Sequence, residues 1–127
     1  MDNDPKLTPH FRKSELECHC GCGQAPLKKD FLDRLEAARL IYGGSITVAR
    51  AYSCAKHNRK IGGGKDSAHT RGTAIDPVRP VGGAALHKMI AAFRAAGFHG
   101  FGMGLKKGKP YLHFDCDAKL GPRAWMY

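Results

Sequence analysis

No run of apolar residues in the 127-residue chain approaches the roughly 20 that a membrane-spanning helix needs, so insertion into a bilayer as a helix is excluded. The start, Met1-Asp2-Asn3-Asp4-Pro5, has neither the basic nor the apolar region of a secretory signal; the expectation is a protein made in the cytoplasm. Cysteine is too sparse and too odd for a disulfide framework. There are five, Cys18, Cys20, Cys22, Cys54 and Cys116, and at least one stays unpaired in a monomer, the oligomeric state expected here. Acidic residues are also scarce, 11 against 21 Lys+Arg, which leaves a formal charge of +10 and attraction to polyanions. The basic residues are spread along the chain without a recognition-helix pattern or interleaved aromatics, so no specific nucleic-acid partner is expected; an anionic cell envelope accounts for the charge equally well. Repeats and low-complexity segments are absent, and the length suits one domain spanning 1–127.

Cys18-His19-Cys20-Gly21-Cys22 has the spacing of half a metal knuckle. Zinc knuckles repeat a ligand pair, and no second pair follows. The three are therefore expected to be reduced, partly buried residues in a tight loop.

Residues 1–24 read as irregular, anchored by Phe11 and Leu16. From Lys28 to Leu40, Phe31, Leu35 and Ala38 recur at helical spacing with charges between them, and Gly43-Gly44 ends the helix. Ser45 to Ala49 is β-branched and alternating, a strand. Cys54 to Lys60 suits a short helix stopped by Gly62-Gly63-Gly64, a glycine run without the Lys and Ser/Thr of a phosphate loop. Gly72 to Val78 is a second strand, ended by Pro77 and Pro80, on which Ala74 and Asp76 share a face. Ala84 to Ala96 forms a second amphipathic helix closed by Gly97. Phe98 to Leu105 fits an edge strand passing close to another backbone, Lys106-Lys107-Gly108-Lys109 a hairpin turn, and Tyr111 to Asp115 the returning strand. The order lacks a βαβ rhythm, so the fold class is α+β: a small, mainly antiparallel sheet with two principal helices.

Within this frame Ser67-Ala68-His69-Thr70-Arg71-Gly72-Thr73-Ala74-Ile75-Asp76 offers a metal two polar ligands, His69 and Asp76, across a glycine-broken turn. His113, on the returning strand, can deliver a second imidazole to the same sheet face. Two histidines and a carboxylate leave a fourth position open, as catalytic zinc requires. Tyr111, His113 and Asp115 alternate and project together, which puts Tyr111 and Asp115 around the metal. The bland reading of the same residues is a hydrogen-bonded strand histidine among seven histidines in the chain.

The pattern Ser67-x-His69-x-x-Gly72-x-Ala74-x-Asp76, with Gly97-Phe98 ahead of Leu112-His113-Phe114-Asp115, resembles the zinc D-Ala-D-Ala carboxypeptidases of peptidase M15 type. That family includes vancomycin-resistance D,D-dipeptidases and bacteriophage L-alanyl-D-glutamate endopeptidases. Ala51-Tyr52-Ser53-Cys54-Ala55-Lys56-His57-Asn58, then Ile61-Gly62-Gly63, is similar to the family's loop before its first ligand. Phe11-x-x-Ser14-Glu15-Leu16 and Cys20-Gly21-Cys22-Gly23 are similar to the start of its short phage and bacterial members. The resemblance implies a zinc peptidase acting on peptidoglycan peptides, with His69, Asp76 and His113 as ligands and Ser67 near the substrate; a turn residue bonding its own backbone is the other reading of Ser67. It also implies action at the bacterial cell wall, after release through a lysis system or as part of a phage particle.

Two positions depart from the family. A Glu, Asp or His commonly stands two or three residues before the last ligand as general base, where this chain has Tyr111 and Pro110. Tyrosine is too weak an acid to serve readily as base, though its hydroxyl can donate to a developing oxyanion. Asp115 is the remaining carboxylate for catalysis, with orientation of the neighbouring histidine as its other role. Ser53 occupies the place of a family Arg that stabilises charge; Arg50 and Arg71 are the candidate replacements, and Arg50 needs a bend in the chain to reach that side. These departures keep a second class of function open, a zinc-stabilised cell-wall-binding or phage structural module. A basic nucleic-acid binder indifferent to zinc is the third.

Overall fold

In the computed structural model, which describes residues 3–64 and 66–127, the chain begins with a hairpin. β1 (Lys6–Thr8) pairs with β2 (Phe11–Arg12), and one helical turn, α1 (Lys13–Leu16), follows. This corrects the irregular reading of residues 1–24. The Arg12 amide donates to the Glu15 carboxylate at 2.7 Å, and Asp4 accepts from the Ser14 amide and hydroxyl at 2.8 and 2.6 Å. Side-chain caps of this kind hold local structure that hydrophobic periodicity does not announce. Phe11 and Leu16 are buried, as the anchors they were expected to be. Met1 and Asp2, the head of the polar start, lie outside the described residues.

The first long helix, α2 (Lys29–Tyr42), buries Phe31, Leu35 and Ala38 and ends on Gly43 in the left-handed conformation. β3 (Val48–Arg50) is shorter and later than its β-branched stretch suggested. Then come α3 (Ala55–Lys60), a 3-10 turn at Ala68–Arg71, β4 (Ala74–Pro77) and α4 (Gly83–Ala95). β5 (Gly100–Lys106) and β6 (Lys109–Asp115) form the expected hairpin, and β7 (Arg123–Met126) closes the chain.

The large sheet has the order β3-β4-β6-β5-β7, antiparallel throughout except where β7 runs parallel to β5. β5 is therefore not an edge strand, because the last residues of the chain add a neighbour on its free side. The α+β class with a mainly antiparallel sheet is as the sequence implied.

Strand alternation divides the sheet into two faces. Ile75, Leu112 and Phe114 join Phe31, Leu35, Met89 and Phe93 of the helices in one buried cluster, with Phe93 stacked on Phe114 at 4.2 Å between centroids. Each such side chain contributes about 1.5–3 kcal/mol on burial. The opposite face carries Asp76, Tyr111, His113 and Asp115, so the helices make a rigid floor under polar chemistry.

Candidate metal centre

The first histidine is placed by a turn that its own local sequence caps and ends. The Ser67 hydroxyl accepts from the His69 amide at 3.3 Å and starts the 3-10 turn, and Gly72 ends it with φ +71°. A Cβ at residue 72 would lie 2.3 Å from the Pro26 carbonyl oxygen, while the Lys28 amide donates to the Gly72 carbonyl at 3.1 Å. The turn is thus clamped against the entry to α2, and its glycine serves close approach as well as backbone conformation.

His69 and His113 are both 4% exposed, their rings 5.1 Å apart. Nδ1–H of His69 donates to the Ala51 carbonyl at 2.6 Å, and Nε2–H of His113 donates to the Asp115 carboxylate at 2.6 Å. Because a carbonyl and a carboxylate only accept, these bonds fix both tautomers. The remaining nitrogens, Nε2 of His69 and Nδ1 of His113, face one oxygen of Asp76 at 3.1 and 2.9 Å. One ligand atom from each of the three residues lies within 4.8 Å of the other two. Lone pairs turned toward a common point repel unless a proton or a cation is shared among them. Two imidazoles and a carboxylate, with the far side of each ring held by an acceptor, is a donor set that suits a divalent metal.

The electrostatics agree with that reading. Burial tends to raise the Asp76 carboxyl, but the two histidines hold it well below the usual range. Burial pushes His69 below the ordinary imidazole value, with Asp76 opposing. Burial pushes His113 the same way, yet Asp115 and Asp76 outweigh it and the net direction is upward. The two histidines share Asp76; only His113 has a carboxylate behind it as well.

The family model described as peptidase M15 matches residues 7–115, a span that runs from β1 to the end of β6 and contains all three donors. The chain belongs to the peptidase M15 family. No curated protein matches it. M15 peptidases are metal-dependent hydrolases, and His69, Asp76 and His113 form one group of described residues in this member that could hold an ion.

Around these donors lies a cleft of about 130 Å³, and the residues singled out in the sequence fall unequally about it. Ser67 lines it while also capping its own turn. Tyr111 lines it and stacks beside His113, ring planes 9° apart. Burial, with the negative charge of Asp76, pushes the Tyr111 phenol up from its ordinary value. Arg50 reaches the cleft from the end of β3, where it pairs across the sheet with Asp76. One of its terminal nitrogens donates to Asn58 Oδ1 at 3.1 Å, and Asn58 in turn donates to the Gly64 carbonyl at 2.9 Å. Ser53 is 1% exposed, a buried filler in the position of the family Arg. Arg71 is engaged by Asp117 and Asp66.

Asp115 is fully buried behind His113. Its oxygens take His113, the Asp117 amide at 3.3 Å and Arg123 at 3.1 and 2.8 Å. Of the two roles expected for it, catalytic carboxylate and partner of the histidine, its 0% exposure and its bond to His113 favour the second.

Sequence reasoning passed over β7, which lies beyond the matched span. Arg123 completes the pair with Asp115, and Trp125 lies 5.0 Å from the His113 ring. The signal was present in the alternation of Arg123 and Trp125, both half-buried, with exposed neighbours. Asn58, which steadies Arg50, carries no signal of its own in the sequence beyond its place in the loop motif.

Proposed function

We propose that this M15 peptidase is zinc-dependent and hydrolyses the stem or cross-link peptides of peptidoglycan, as a D,D-carboxypeptidase or an endolysin-like endopeptidase. The observation that carries the proposal is the convergence of His69 Nε2, His113 Nδ1 and Asp76 Oδ1 at the floor of a cleft bearing Arg50 and Lys106. Two imidazoles and one carboxylate, with room for a further ligand, are a donor set typical of catalytic zinc. When bound, zinc supplies Lewis acidity toward a peptide carbonyl and brings the ionisation of water close to neutral pH.

The chain's own groups do the rest. Asp115 keeps His113 in one tautomer and one orientation. The Tyr111 phenol, protonated across the physiological range, donates a hydrogen bond to the oxygen on which charge develops. Arg50, held by Asn58, offers its guanidinium to a substrate carboxylate or to that same charge, and Lys106 adds positive potential at the mouth. Ser67 keeps the ligand turn and the substrate rim in register. Peptidoglycan peptides carry free carboxylates, which suits this basic cleft. The protein acts at the cell wall, reached through a lysis system or as part of a phage particle.

Defined muropeptides incubated with zinc-loaded protein should release D-Ala or be cut internally. Chelation should abolish release, zinc should restore it, and His113→Ala should not support it. No release by a fully loaded protein would overturn the enzymatic reading. It would leave the second one, a zinc-stabilised wall-binding module, which one observation favours. Apart from Asp76, the carboxylate lining the cleft among the described residues is Asp66, and it is ion-paired to Arg71 and Lys119. A binding module retains sacculi without turnover, and Asp115→Asn leaves that retention intact.

A further inference from the structure

The loop that looked like half a knuckle has a partner. Cys54, far along the chain at the N-terminus of α3, brings its sulfur to Cys18, Cys20 and Cys22, and the four sulfurs lie within 4.8 Å of one another. Cys18 and Cys20 are 3.4 Å apart at sulfur, Cys20 and Cys54 3.7 Å. A tetrahedron of thiolates with metal–sulfur bonds near 2.3 Å has edges of about 3.8 Å, close to the 3.4 and 3.7 Å of these two pairs. They are well beyond the roughly 2.05 Å of a disulfide, and all four cysteines are free.

The backbone is arranged as it is around metal thiolates. The Cys54 amide donates to Cys18 Sγ at 3.3 Å, and the His57 amide donates to Cys54 Sγ at 3.4 Å. The Cys18 amide donates to the Gln24 carbonyl at 3.0 Å, closing the loop on itself. Cys20 and Cys22 are exposed, an unusual place for two unused thiols beside two others.

We propose that Cys18, Cys20, Cys22 and Cys54 bind a structural zinc ion. All four positions of the tetrahedron are protein sulfur, so the site is closed to substrate and serves as a staple. What it staples is specific. Cys54 follows the segment whose Ala51 carbonyl fixes the His69 tautomer and whose Ser53 amide donates to the His69 carbonyl at 3.3 Å. The Tyr52 amide donates to the Leu16 carbonyl at 3.1 Å, a second tie between the same two stretches. The four-cysteine ion thus clamps the N-terminal loop to the strip of backbone that orients the first catalytic-site histidine. The site uses none of the residues of the peptidase reading above; only the second ion counted below rests on that reading.

The test is metal content and cobalt spectroscopy on the full chain, purified under reductant and without oxygen. Wild type should hold two zinc ions, and the cobalt-loaded protein should show sulfur-to-cobalt charge-transfer absorption in the near ultraviolet. His113→Ala should lose one ion and keep that absorption. The double variant Cys20→Ser/Cys54→Ser should lose one ion and the whole band. If that variant does not fold, Cys22→His preserves four donors: it should fold, hold two ions and lose about one thiolate's share of the band. A single ion in wild type without charge-transfer absorption overturns the proposal. So does a disulfide among these cysteines in the intact mass of the reduced preparation, or a Cys22→His spectrum identical to wild type.

Discussion

At the scale of single residues, the candidate metal centre depends on what stands behind each donor. Asp115 holds His113 at 2.6 Å while Arg123 holds Asp115, and the space this carboxylate occupies is made by Gly100 on the neighbouring strand, where a Cβ would lie 2.4 Å from its oxygen. Asp115→Asn keeps the shape but weakens the acceptor for His113 Nε2–H. Metal affinity or turnover should fall about 10- to 100-fold with the fold retained, as for other partners of metal-bound histidines. Gly100→Ala pushes the same carboxylate aside and should show a loss in the same direction. Zinc competition with a chromogenic chelator measures both; unchanged affinity in the two variants would mean that His113 needs no support. That His69, Asp76 and His113 come together was legible in the sequence from strand alternation together with the resemblance of their motif to the M15 pattern. The burial of Asp115 was not, since the groups that seal it come from β5 and β7.

At the scale of elements, α2, α4 and the β5–β6 hairpin were readable because their periodicity and turn residues lie within each segment. β7 was not, since a four-residue strand gains meaning only from the parallel partner that it finds at β5. The β1–β2 hairpin and α1 were missed as well, and a half-buried charge ties the hairpin down. Glu36 on α2 accepts from the Thr8 hydroxyl at 2.7 Å, from the His10 amide at 3.0 Å and faces His10 Nδ1 at 2.6 Å. Burial tends to raise the Glu36 carboxyl, but the Thr8 and His10 contacts outweigh it and the net shift is below the ordinary 4.5. A carboxyl with a folded pKa below its unfolded one binds fewer protons when folded, so its stabilisation is present above 4.5 and is lost as pH falls through the lower folded value. Hydrogen bonds to a charged group contribute about 1.5–3 kcal/mol, and Glu36→Gln should cost that order at neutral pH. The deficit should shrink as acid is added, measured by urea unfolding of both proteins across the acid range. A deficit constant with pH would show that the Glu36 charge is not what fastens the hairpin.

At the scale of the whole molecule, two forces divide the work of reaching and cutting a substrate. The metal donors act over a few ångströms at the floor of the cleft, whereas the 21 basic against 11 acidic side chains act on anything anionic within a Debye length, about 10 Å at 0.1 M salt. The first is indifferent to moderate salt and the second is screened by it. Retention on isolated peptidoglycan sacculi should therefore fall steeply as salt rises, while turnover of a short, uncharged peptide substrate at saturating concentration should change little. Arg50 and Lys106 add a third case between them: a peptide with a free carboxylate should show a rising KM with salt at nearly constant kcat, because only its encounter with the cleft is screened. Measured together on one preparation, the three substrates separate capture by surface charge from recognition in the cleft. A kcat that fell with salt on the uncharged peptide would place the ionic sensitivity in the metal centre itself, and the division of labour argued from the charge distribution would not hold.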